Sequence, residues 1–104
     1  MNDTDLKRIH LALKRELPRG MILLEKVGLF YETFGEDAIV ASPILGATLT
    51  TRGGTPMCGF PFHAIDSYLA KLVRAGKSVA IAELVGDGGR REVTRVITPG
   101  GAEA

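Results

Sequence analysis

The sequence predicts an α/β domain of the α+β kind, with about three helices packed against a mixed β-sheet of about five to six strands. Two observations support this prediction. Short apolar runs bounded by glycine or proline alternate with amphipathic segments, and no repeat or low-complexity tract interrupts them. The chain has 104 residues, 45% of them hydrophobic and 24% charged, which is ordinary for one folded unit. We therefore expect residues 1–104 to form a single domain around one core.

A first helix is predicted near the N-terminus. Residues 3–5 (DTD) can cap its start and place negative charge there. Pro18 and Gly20 are expected to end it. Residues 21–24 (MILL) then form a continuous apolar run, which is typical of a buried strand. The helix prediction rests on apolar residues at spacings of three and four, namely Leu6, Ile9, Leu13 and Leu17.

Gly28 is expected at a turn or bulge, and the segment after it can be assigned to neither a strand nor a helix from its periodicity. Residues 29–34 (LFYETF) are rich in aromatic side chains and fit either a strand or a helix. Glu36 and Asp37 follow, and acids at the start of a helix ordinarily compensate the helix dipole. We expect this second helix to end at Pro43, because proline lacks a backbone N–H and its ring clashes with the preceding turn.

The second half of the chain contains the clearest helix. Its apolar residues share one face over residues 63–75, and Gly76 supplies the left-handed residue after its end. Residues 52–56 (RGGTP) are interpreted as a flexible loop, and residues 87–89 (DGG) offer the chemistry of a hairpin turn. Strands are predicted over residues 47–51, 57–60, 78–85 and about 91–98.

Composition excludes several classes of protein. Thirteen Lys and Arg against twelve Asp and Glu give a formal charge of +1, unlike the basic footprint of a nucleic-acid binder driven by electrostatics. A multi-domain nucleotide motor is excluded by size. Cys58 stands alone and cannot form an intramolecular disulfide, and no secretion or membrane-spanning segment is recognisable. We therefore expect a soluble protein of the reducing cytoplasm.

No set of residues assembles an active site, a metal site or a cofactor site. Residues 76–78 (GKS) look like the end of a phosphate-binding P-loop, but Lys71 stands where that motif needs glycine. The order of elements is also reversed, which favours a helix C-cap. Cys58, His10 and His63 lack any recognised ligand spacing. We predict no enzymatic activity, no cofactor, no metal and no small-molecule substrate.

Residues 30–32 (FYE) are compatible with nucleic-acid recognition if they are extended. Phe30 and Glu32 would then project side by side, because residues two apart share one face of a strand. A phenyl ring can enter between bases and unstack them, while a carboxylate accepts from a base N–H or, when protonated, donates to a ring nitrogen. On these three residues alone, a core aromatic beside a solvated glutamate is the more ordinary interpretation.

The surrounding sequence reverses that weighting. Residues 27–38 (VGLFYETFGEDA) strongly resemble the opening signature of the N-terminal mismatch-recognition domain of MutS-type DNA mismatch-repair proteins. The resemblance covers roughly residues 17–100, and several ordered blocks together are more specific than any one of them. The further blocks are residues 49–53 (LTTRG), 55–64 (TPMCGFPFHA), 68–72 (YLAKL), 78–83 (SVAIAE) and 91–100 (REVTRVITPG).

The resemblance implies a mixed α/β domain that, within the full-length proteins, inserts a phenylalanine into the minor groove at a mispair. Phe30 aligns with that wedge, and Glu32 with the glutamate that hydrogen-bonds the displaced base. The family's ATPase, clamp and dimer-forming parts have no counterpart in this sequence. Three departures stand out: Leu29 replaces a usual Asp, Glu25 replaces a usual apolar or aromatic residue, and the loop before Arg90 is short.

We therefore predict a DNA-binding module without enzymatic activity, whose partner is double-stranded DNA containing mispairs. Arg52, Lys71, Arg90 and Arg91 are candidate contacts to the DNA backbone, with a solvated surface charge as the alternative for each. At a net charge of +1, such a module should bind weakly on its own. The alternative function is a protein-interaction or accessory module of the mismatch-repair machinery with little DNA affinity of its own.

Overall fold

A computed structural model describes residues 2–87 and 89–100, which form three α-helices and one six-stranded sheet. Gly88 of the predicted hairpin turn lies outside the described residues. The strands are β1 (Ile22–Val27), β2 (Phe30–Phe34), β3 (Thr50–Arg52), β4 (Thr55–Pro61), β5 (Val79–Val85) and β6 (Arg90–Ile97). The helices are α1 (Asp3–Arg15), α2 (Gly35–Leu45) and α3 (Ile65–Arg74), with a 3₁₀ turn over Phe62–Ala64.

The sheet is mixed, as predicted. Its strand order is β3-β4-β2-β1-β5-β6, and β1 and β5 form the parallel pair, while the other printed pairs are antiparallel. Because β1, β4 and β5 run in the same direction, their C-terminal ends meet at one end of the sheet. The turn between β1 and β2 and the turn between β5 and β6 therefore lie at that same end.

Strand alternation divides the core between two faces of the sheet. On one face, Ile22 and Leu24 of β1 pack with residues of α2 and α3. On the other, Met21 and Leu23 pack with Leu13 of α1. The helices therefore sandwich the sheet, with α2 and α3 on one side and α1 on the other.

The ambiguous segment after Gly28 is a strand. β2 lies between β1 and β4 and pairs with both, so its backbone hydrogen bonds are supplied by two neighbours. A two-residue turn of Gly28 and Leu29 joins it to β1, with Gly28 at a φ of 59°. Glycine at the first central position is the requirement of a type II′ hairpin.

Several of the predicted boundaries are wrong; the strand predicted over residues 47–51, for example, begins only at Thr50. Pro43 does not end α2, which continues to Leu45 and terminates at Gly46, whose φ is 67°. Proline removes the intrahelical hydrogen bond to the carbonyl of Ile39. The helix tolerates this loss because Ile39 and Pro43 lie on a side that faces solvent. The predicted flexible loop at residues 52–56 is a tight turn instead: Arg52 pairs with Thr55 across β3 and β4.

Candidate nucleic-acid interface

Phe30 and Glu32 project from the same face of β2, as their spacing predicts for an extended segment. The side chain of Phe30 is 48% exposed, whereas Glu32 is only 5% exposed. Tyr31 points to the opposite face and packs against Phe60, with ring centroids 5.8 Å apart. The strand thus offers solvent an aromatic ring, with a sheltered carboxylate behind it.

A groove of about 430 Å³ opens beside Phe30 over the β3-β4-β2 end of the sheet. Gly59 stands directly opposite Glu32 in the register of β2 and β4. A Cβ atom on Gly59 would lie 2.6 Å from the carbonyl oxygen of Tyr31 and 3.2 Å from Cγ of Glu32. The glycine therefore allows the close approach of the two strands that forms the groove floor. The groove is lined by Phe30, Glu32, Thr48, Thr50, Arg52, Met57 and Gly59.

Arg52 is the cation of this groove, and it holds Glu32. Its Nη2 donates to Oε2 of Glu32 at 3.1 Å, and its Nη1 lies 2.9 Å from Oε1. Burial raises the pKa of the Glu32 carboxyl, against the opposing effect of Arg52 and with a smaller contribution from the carboxylate of Glu25. The site therefore combines a carboxyl group whose neutral form is favoured by burial with a partly exposed guanidinium.

Glu25 lies directly opposite Glu32 on β1 and is 0% exposed. His10 of α1 reaches it, with Nδ1 2.7 Å from Oε2 of Glu25. Arg91 approaches from β6, where its Nε lies 3.9 Å from Oε1 and its Nη1 donates to the carbonyl of Lys26. The acid that departs from the family pattern is thus enclosed by partners from two other elements.

Asp37 lies in the first turn of α2, as predicted, and has a further role there. It is buried, and it accepts hydrogen bonds from the backbone N–H of Leu23 at 2.9 Å and from Lys14 at 3.0 Å. Its Oδ2 also lies 3.7 Å from Nε2 of His10. Besides its place at the positive end of the helix dipole, the side chain joins α2 to α1 and the sheet.

Sequence reasoning missed the buried polar cluster of His10, Glu25, Asp37 and Arg91. One signal was available: Glu25 follows four apolar residues in a run predicted to be a buried strand. A charge at such a position requires a partner. The sequence could not identify the other members of the cluster, because they come from α1, α2 and β6, which are far from Glu25 in the chain.

The four candidate cations occupy different places. Arg52 lies in the groove with Phe30 and Glu32. Arg90 is exposed at the β5-β6 turn and is paired with Glu92. The guanidinium of Arg91 is almost fully buried against Glu25.

Lys71 lies apart from the groove. It belongs to α3, on the other side of the sheet, where its ammonium donates to the carbonyl of Leu45 at 3.3 Å. The same ammonium lies 4.8 Å from the ring centroid of Tyr68. The structure therefore brings together Phe30, Glu32 and Arg52, and separates Lys71 from them.

Cys58 and His10 do not share a site. Cys58 is buried on the α2-α3 face, where burial raises the pKa of its thiol to about 11, which is unsuited to a nucleophile or ligand. His10 lies on the α1 face beside Glu25. Across residues 2–87 and 89–100, no three His, Cys, Asp or Glu side chains are grouped to hold a metal ion. In the same residues, every helix is too short or too polar to cross a membrane.

Comparison with known proteins matches residues 4–103 to a family described as MutS domain I. The chain is 49% identical over 109 residues to the DNA mismatch repair protein MutS of Porphyromonas gingivalis, with 94% of the chain and 12% of that protein covered. It is 45% identical to the protein of that name from Thermodesulfovibrio yellowstonii (93% and 13% covered) and 47% identical to that from Flavobacterium johnsoniae (94% and 12%). The chain spans about an eighth of the length of these curated relatives.

Proposed function

The chain belongs to the MutS domain I family, and on that basis we propose that it is a DNA-binding module that recognises mispaired or deformable base steps and performs no catalysis. The observation that supports the proposal most directly is the exposed ring of Phe30 beside the sheltered carboxyl of Glu32, at the mouth of an open groove. Its partner is double-stranded DNA, approached through the minor groove.

Phe30 acts as a wedge in this proposal. Inserting a ring between base pairs costs a few kcal/mol of unstacking, and the cost is least where pairing is already defective. Burying an exposed phenyl ring returns about 1.5–3 kcal/mol. Since the gain is similar for any sequence while the cost falls at a mispair, the wedge selects defective or flexible steps.

Glu32 reads the base that the wedge exposes. As a carboxylate it accepts from a base N–H, and in its protonated form it donates to a ring nitrogen. Burial favours the protonated form, as the raised pKa of Glu32 indicates. Because Arg52 contacts both carboxyl oxygens in the free protein, the base must replace at least one of these contacts.

Backbone contacts are proposed for Arg52 and Arg90. Arg90 lies at the same end of the sheet as Phe30, about three strand spacings of ~4.8 Å away, which is within the footprint of a short duplex. Arg91 is buried and Lys71 lies on the α2-α3 side, so neither is included. With so few cations facing DNA, affinity should be weak and should depend little on salt.

The experiment is fluorescence anisotropy at low salt with a G·T duplex and its fully paired counterpart. Wild type should prefer the G·T duplex, Phe30→Ala should lose that preference, and Glu32→Ala should reduce it. Leu11→Ala, a change to another exposed apolar residue on the outside of α1, is the matched control. Equal binding by wild type and Phe30→Ala would overturn the wedge.

A second candidate function is a protein-interaction or accessory module that associates with mismatch-repair proteins and has little DNA affinity. The formal charge of +1 favours it, since it provides little long-range attraction to DNA. A pull-down with a full-length MutS protein separates the two functions. If the wild-type chain associates with that protein and does not bind DNA, the protein-interaction function replaces the DNA-binding function.

A further inference from the structure

The turn between β1 and β2 displays the most exposed large apolar side chain of the described residues. Leu29 is 69% exposed, against 55% for Leu84 and 50% for Leu11. Exposure of a single leucine is ordinary, so its significance depends on its neighbours and its place in the fold. Leu29 directly precedes Phe30, the proposed wedge.

The backbone around Leu29 is well defined. Gly28, with a φ of 59°, makes the tight turn from β1, and the carbonyl oxygen of Leu29 accepts a hydrogen bond from the N–H of Phe62 at 2.8 Å. That bond extends the pairing of β2 with β4 by one residue beyond the contact of Phe30 with Pro61. Leu29 is therefore held at the tip by two strands rather than carried on a loose loop.

Leu29 and Phe62 lie opposite each other at this end of the sheet, and Phe30 adjoins Leu29 in the chain; we call these three exposed side chains the apolar tip. Phe62 is exposed, and the ammonium of Lys26 lies 5.1 Å from its ring centroid. Glu83 lines the indentation behind the turn together with Lys26, and its carboxylate accepts from the hydroxyl of Thr94. Apolar side chains can wedge between base steps from the minor groove, and the ammonium of Lys26, on the face opposite to Phe30, can approach the phosphates that border the groove.

We propose that Leu29 is a second inserting side chain, which enters the minor groove beside Phe30 and unstacks the neighbouring base step. This inference rests on the proposed function and names a further residue of the same interface. Leucine is among the side chains suited to wedging between base steps, and it has no charge to repel the phosphates. Two adjacent apolar residues would widen the distorted region, so recognition would depend on the step next to the mispair as well as on the mispair.

DNA fits the apolar tip better than a second copy of the chain does. A stable dimer buries about 1,200–2,000 Å² in total, for which a tip of three side chains is too small. DNA also offers phosphates to the ammonium of Lys26. A narrow protruding tip suits insertion into a groove.

The test measures binding of Leu29→Ala to the G·T duplex by anisotropy, with Leu11→Ala as the control of equal chemistry on α1. We expect Leu29→Ala to bind about tenfold more weakly, which is the lower end of what burial of a leucine side chain contributes. The slope of affinity against salt should not change, because no charge is removed. Leu29→Asp should weaken binding further and should alter that slope.

A second readout follows the base step itself. 2-Aminopurine placed next to the mispair should brighten when wild type unstacks it, and should brighten less with Leu29→Ala. Thermal unfolding of both leucine variants should match wild type, since both side chains are exposed.

The outcomes separate the two proposals. If Phe30→Ala weakens binding and Leu29→Ala does not, this inference fails and the proposed function stands. If wild type and Phe30→Ala bind equally, the proposed function itself fails. If wild type sediments as a dimer that Leu29→Ala dissociates while DNA binding is unchanged, the partner of the tip is a second copy and the inference is overturned.

Discussion

Glu25 and Glu32 are the same residue type, stand opposite each other on β1 and β2, and project from the same face of the sheet. Their surroundings differ. α1 covers Glu25, which meets His10 from that helix and Arg91 from β6. Glu32 borders the groove, where its partner Arg52 is partly exposed. The helix that covers the sheet, rather than the residue type, decides whether an acid is sealed in the core or borders the groove.

Removing Glu25 should have the largest effect on stability. Glu25→Ala leaves His10 and Arg91 without their buried acid, and the loss of one partner from a buried charge cluster costs about 3–5 kcal/mol in the free energy of unfolding. Urea denaturation measures this cost. Glu32→Ala should cost clearly less, because Arg52 can turn toward water. Equal losses for the two alanine variants would contradict the comparison.

The second-largest effect on stability is expected from a substitution that forces β2 and β4 apart at the groove. Gly59→Ala forces a Cβ against the carbonyl oxygen of Tyr31 and should cost about 1–3 kcal/mol, typical of overpacking. DNA binding should fall as well, since β2 carries both Phe30 and Glu32. Thr50→Ala, a change at an exposed residue of the same groove, is the control and should leave the free energy of unfolding nearly unchanged.

The pH dependence of stability should distinguish Glu32 from an exposed glutamate. Burial raises the folded-state pKa of Glu32 above its ordinary value of 4.5, so the unfolded chain loses this proton first as the pH rises. The contribution of Glu32 to stability is therefore present at low pH and is lost as the pH rises through the folded-state pKa. Glu32→Gln cannot titrate, so the stability of this variant relative to wild type should increase as the pH rises above 4.5.

Glu36→Gln is the matched control for this pH experiment, because Glu36 is exposed on α2. It removes the same charge from an exposed position, so a pH-dependent change seen with Glu32→Gln and absent with Glu36→Gln is due to the burial of Glu32. If instead wild type gains stability relative to Glu32→Gln as the pH rises, the folded state stabilises the carboxylate of Glu32.

The smallest effect concerns the cations. Arg90→Ala should reduce the slope of log affinity against log salt by about 0.9, the value for one phosphate contact on duplex DNA. Lys71→Ala, on the opposite side of the sheet, should leave that slope unchanged. A reduced slope for Lys71→Ala would show that DNA also contacts the α2-α3 side.

Local chemistry made much of the fold predictable. The periodicity of residues 63–75 indicated α3, and the apolar runs around Leu23 and Ala80 indicated the central strands β1 and β5. The segment at residues 29–34 could not be assigned in this way, since a short aromatic run fits both periods. Pairing with β1 and β4 decided it. At Pro43 the local sequence predicted a helix end that does not occur. The helix continues to Leu45 because it tolerates one missing hydrogen bond on its solvent-facing side.

The sequence by itself determined which side chains belong to the candidate interface: the two-residue spacing of Phe30 and Glu32, and the blocks shared with the MutS domain I family, are properties of the chain order. Only the tertiary structure decided that Arg52 is the partner of Glu32, that Arg91 is enclosed, and that His10 and Asp37 join α1 to the sheet. The physical reason is that exposure and ion pairing depend on elements far apart in the chain. A carboxylate on β1 is sealed by a residue fifteen positions earlier, while the one opposite it stays beside an open groove.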